Sequence, residues 1–140
     1  MEGPVRVRRV LPALLLLAVF AACGSDGTPG EPTPPAPTPG ISITVTNPPP
    51  VTALPIPVGA QVSIALTRTG GFTGAVSLAA EGLPTGWTAS FSPSQITTGA
   101  GTLATVTVPG NAARGTAVVT FRATAVGVAA ATGQATITVQ

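Results

Sequence analysis

Residues 117–125 read AVVTFRATA: Ala117, Val119, Phe121, Ala123 and Ala125 alternate with Val118, Thr120, Arg122 and Thr124. A repeat of two places every second side chain on the same side, which is the mark of a strand with one buried face. Phe121, at the centre of this stretch, is its largest side chain.

The same alternation recurs along the chain. Ile41, Ile43 and Val45 share one face of ISITVTN, opposite Ser42, Thr44 and Thr46. QVSIALTR places Val62, Ile64 and Leu66 together, and AVSLAA does so with Val76, Leu78 and Ala80. WTASFSP aligns Trp87, Ala89 and Phe91; ATVTVPG aligns Ala104, Val106 and Val108; GQATITVQ aligns Ala135, Ile137 and Val139. Glycine, proline and asparagine clusters separate these runs, and Pro84 and Pro93 fall between strands, where a missing N–H costs no ladder bond. The pattern predicts an all-β domain over 41–140, an immunoglobulin-like β-sandwich of about seven antiparallel strands. Leu103 is out of phase with Val106 and Val108, which predicts a bulge there or a strand that starts at Ala104.

The first forty residues are of another kind. Arg6, Arg8 and Arg9 precede the apolar run LPALLLLAVF (11–20), which is shorter than the roughly 20 residues that span a bilayer. Ala21 and Ala22 then lead to Cys23, the one cysteine of the chain. This arrangement resembles the signal and lipobox of bacterial lipoproteins, although Phe20 stands where that family most often has leucine. The resemblance implies a signal peptide over 1–22, cleavage before Cys23, a thioether-linked lipid on its sulfur and acylation of its new amino group. The other reading, an ordinary secretory signal that leaves Cys23 as a free thiol, accounts less well for a cysteine set at the edge of the apolar run. Residues 24–40, GSDGTPGEPTPPAPTPG, lack the apolar surface needed to fold. They predict a disordered Pro/Thr-rich linker over 23–40, extended in polyproline II to roughly 50 Å. Gly24 rather than an acidic residue follows the cysteine, which in some bacterial lineages points outward, to the outer membrane or cell surface of the bacterial cell envelope.

Charge narrows the function. Arg6, Arg8, Arg9 and Glu2 sum to +2, whereas Arg68, Arg114 and Arg122 balance Asp26, Glu31 and Glu81. The surplus leaves with the signal, and no basic patch remains to neutralise phosphates, so nucleic acid is not an expected partner. Over 41–140 the only carboxylate is Glu81, and the chain has no histidine. A hydrolytic carboxylate pair needs a second acid, a serine nucleophile needs a base, and a calcium site needs several anionic oxygens. The expectation is therefore no catalytic residue, no metal and no cofactor.

Arg68 before Gly70-Gly71-Phe72, Gly74, Gly82-Leu83-Pro84-Thr85-Gly86, Phe91-Ser92-Pro93 and Gly115 together resemble bacterial immunoglobulin-like repeats related to the NEW3 domain. That resemblance implies a spacer, an adhesive unit or an accessory of exported enzymes. Trp87 is the candidate ligand platform, as an indole on which a sugar ring can stack. Its alternation with Phe91 favours a core position instead. Phe72 reads as a plug at one end of the sandwich, and Arg68, Arg122 and Glu81 read as surface charges that aid solubility. The expected protein is a membrane-anchored lipoprotein, held by membrane lipid through acylated Cys23. Its domain would have a structural or adhesive role toward envelope proteins or glycans; the alternative is a carbohydrate-binding accessory module.

Overall fold

The computed structural model describes residues 34–140. The signal, Cys23 and the linker as far as residue 33 lie outside the described residues.

Eight strands follow one another: β1 (Gly40–Val45), β2 (Val58–Thr69), β3 (Val76–Glu81), β4 (Thr88–Ser92), β5 (Gln95–Ile96), β6 (Gly101–Val108), β7 (Gly115–Thr124) and β8 (Ala131–Val139). They form two four-stranded antiparallel sheets, ordered β1-β2-β6-β4 and β5-β3-β7-β8. Seven of the strands are those that the alternation predicts, and the fold is a β-sandwich. Setting β5 aside, the pairing matches the two sheets of a constant-type immunoglobulin domain. β5 is a two-residue addition on the free edge of β3, where Val76 faces Ile96 and Ser77 faces Gln95. Two residues are too short to show a period, so no alternation marks it.

The inward faces meet in an apolar interior. Val62, Ile64, Val106, Val119, Phe121 and Ile137 are fully buried there. Phe91 meets Phe121 edge to face, with ring centroids 6.1 Å apart and planes at 89°, the geometry that the aromatic quadrupole favours. A second buried group, Leu66, Val76, Ile96 and Ala123, closes the end of the interior nearer Phe72. Phe72 packs against it, as expected of an end plug. Outward positions carry mainly Ser and Thr, with pairs such as Thr88–Thr107 and Ser90–Thr105 directly opposite one another.

The expected bulge at Leu103 is absent. β2 and β6 pair without interruption from Val58↔Val108 to Ala65↔Gly101. Leu103 therefore points outward, 37% exposed, while Thr102 takes the inward position. The strand starts at Gly101, and one polar residue within an apolar face had obscured its phase. Thr102 is buried because its hydroxyl donates to the Pro93 carbonyl at 2.7 Å, tying β6 to the β4–β5 crossing. Thr102→Val preserves the shape and removes that bond, so it should lower stability by about 1 kcal/mol. A urea melt showing no loss would contradict this.

Between β1 and β2 the chain changes sheets. Val51 bridges Val139 in parallel, with Val51 N–H donating to Thr138 O (2.9 Å) and Gln140 N–H to Val51 O (2.9 Å). Asn47 Oδ1 accepts the Thr136 N–H at 2.9 Å. These bonds cover half of the outer edge of β8, a device that blocks edge-to-edge association.

The sandwich has two distinct poles. Gly40 pairs with Thr69, so the chain joins β1 at the pole that carries turn 70–75 and loops 97–100 and 125–130. A Cβ built on Gly70, whose φ is +59°, would strike the Thr38 carbonyl, so glycine is required there on both conformational and steric grounds. The opposite pole carries loops 82–87 and 109–114 and the end of β8. Twelve residues of β2 separate the two poles by about 40 Å.

Candidate functional site

The pole opposite Gly40 holds an open cleft of about 390 Å³, whose walls include Pro84, Trp87, Pro109, Asn111, Arg114 and Thr116. Two turns build it. Trp87 N–H donates to Pro84 O at 3.0 Å, and Ala112 N–H donates to Pro109 O at 3.0 Å. Gly86, at φ +83°, is the third residue of the first turn. That is the position where a type II turn needs a positive φ. The turn delivers Trp87 to the start of β4, with its side chain directed between the sheets.

Trp87 is half-buried. Trp87 packs against the central buried group that includes Val106 and Phe121, and it also lines the cleft. Its ring N–H has no hydrogen-bond partner among the described residues. Arg68 Nε is the one buried side-chain nitrogen or oxygen left unpaired there. The two sequence readings of Trp87, core residue and platform, therefore meet in one residue.

The charged residues sort themselves by neighbour. Arg122 Nη1 lies 3.8 Å from Glu81 Oε1, with both side chains about half exposed, and such a pair contributes little. Arg68 departs from the expected solvated charge. Its Nη1 donates to Gly99 O at 2.6 Å and its Nη2 to Ile96 O at 3.0 Å. Its alternation places it inward on β2, where it tethers loop 97–100. Arg114 is exposed on the cleft wall, and no carboxylate lies within salt-bridge distance of it among the described residues. The three arginines and single glutamate of the described residues leave them at +2, and Asp26 and Glu31, which would balance this, precede the described residues.

Sequence reasoning named Trp87 for this region but gave Arg114 and Asn111 no role. A signal for them exists in PGNAARG (109–115), a turn holding an arginine with no acid nearby in sequence. What the sequence does not disclose is that this turn folds beside loop 82–87. The lining offers an indole, amide and hydroxyl hydrogen bonds and one cation, which is the chemistry of binding. A second depression of about 450 Å³, lined by Gly74, Ala75, Ser77, Gln95, Thr124 and neighbours, lies at the pole where the chain joins β1. It has no aromatic ring or charge in its walls. No protein-family model matches the chain, and no curated protein matches it.

Proposed function

We propose that the protein is an exported bacterial lipoprotein, acylated at Cys23, that displays one immunoglobulin-like sandwich from the cell envelope for a structural or adhesive role. The observation that carries this reading is polar geometry. The chain joins the sandwich at one pole, and the cleft opens about 40 Å away at the other. A tether on the N-terminal side of the domain leaves that cleft clear of the attachment point. Two or more acyl chains, at about 0.8 kcal/mol per buried CH₂, make such a tether stable. Cys23→Ser should abolish palmitate labelling and move the protein from the membrane fraction to the soluble one. A variant that stays membrane-bound overturns the anchor.

A second reading, a carbohydrate-binding module, is favoured by the half-buried Trp87 in the cleft wall. Trp87 is the one tryptophan, so its emission reports on this site alone. Titration of the full chain in detergent with envelope and plant glycans should give a saturable shift. An unresponsive emission removes Trp87 as a platform.

A further inference from the structure

The cleft at the pole opposite Gly40 has an electrostatic sign, and we infer that it takes an acidic saccharide, one bearing a carboxylate or another anionic group on the ring. The inference rests on the carbohydrate reading above and narrows its ligand class. Three observations converge. The cleft is lined by both Trp87 and Arg114, an exposed residue, and by no acidic residue. The other two arginines of the described residues are engaged, Arg122 beside Glu81 and Arg68 on two backbone carbonyls. Arg114 is thus the described cation left for an external anion, and it lies in the same concavity as the half-buried tryptophan.

The chemistry of these two groups is complementary. An indole stacks on the apolar C–H face of a pyranose ring and holds it by dispersion and area burial. A guanidinium receives a carboxylate through two parallel N–H···O bonds, which adds both strength and orientation. Asn111 and Thr116 supply donors and acceptors for ring hydroxyls. The concavity falls within the roughly 300–1,000 Å³ of small-ligand sites, and its openness to solvent suits part of a longer chain. A neutral glycan would use the indole and leave Arg114 idle.

The test uses the full chain in detergent micelles, with oligogalacturonate as the acidic probe and a neutral gluco-oligosaccharide of equal length beside it, followed by calorimetry and Trp87 emission. The expected result is saturable binding of oligogalacturonate, at least about tenfold tighter than the neutral probe, the size of one charge-assisted contact. Arg114→Gln should erase that preference and Arg114→Lys should retain part of it. Arg122→Gln should leave it unchanged, which separates a local contact from general attraction to a positive domain. Binding should weaken at about 0.3 M salt, since an exposed ion pair is screened. If both probes bind equally and Arg114→Gln changes nothing, the acidic assignment is overturned while the carbohydrate reading stands. If neither probe binds, or binding survives Trp87→Ala in a folded protein, both are overturned.

Discussion

Phe121→Ala is expected to cost about 3–5 kcal/mol, the range for truncating a buried aromatic side chain. Phe121 is fully buried on β7, which lies between β3 and β8 in its sheet, and its ring meets Phe91 from the other sheet. Apart from the partly buried Trp87, Phe91 and Phe72, the interior is built mainly from valine, isoleucine, leucine and alanine, side chains too short to refill the space. A domain of this size has about 5–15 kcal/mol in total, so the loss is a large share of it. Urea denaturation followed by Trp87 emission measures the change. Phe121→Leu, which keeps most of the volume, should fall well below the alanine value. If the two substitutions prove equal, Phe121 is not the central contact between the sheets.

Arg68→Met should be the next most damaging. Methionine keeps the apolar stem and removes the guanidinium, so the Ile96 and Gly99 carbonyls lose a charged donor. Hydrogen bonds to charged groups are worth about 1.5–3 kcal/mol; the bond to Ile96 O is part-buried and the bond to Gly99 O exposed, so the loss should lie toward the lower end. The effect should also be local. Amide exchange should accelerate over 96–100 while β7 and β8 keep their protection, because sub-global opening follows the loss of local contacts. Uniform acceleration through the domain would mean that Arg68 acts by bulk packing. Arg68→Lys should rescue only in part, since a single ammonium cannot present two separated N–H groups as the guanidinium does.

The contrast between Arg68 and Arg114 shows where local sequence reading stops. Both are isolated arginines beside glycines in a chain poor in charge. Arg68 follows the inward phase of β2, and its partners are backbone carbonyls 28 and 31 residues away. Those partners carry no side-chain identity, so no residue type in the sequence marks them. Leu103 teaches the same lesson in reverse. A leucine on the outer face and a threonine on the inner one disguised a regular strand as an irregular one. The hydroxyl at Thr102 finds its acceptor only after β4 has crossed toward the other sheet.

Sequence alone determined the strand faces, the all-β class and the seven long strands, because a two-residue period is a local property of the chain. Composition also changes abruptly along the sequence, from an arginine-bearing apolar stretch to a proline-rich one and then to strand-forming alternation. Tertiary structure decided the rest. It placed β5 on the edge of β3, moved Val51 across to β8, turned Arg68 into a loop clamp and set Trp87 and Arg114 in one cleft. Each of these depends on contacts between residues far apart in the chain. Such contacts follow from how two twisted sheets stack, and alternation within any one strand leaves that stacking open.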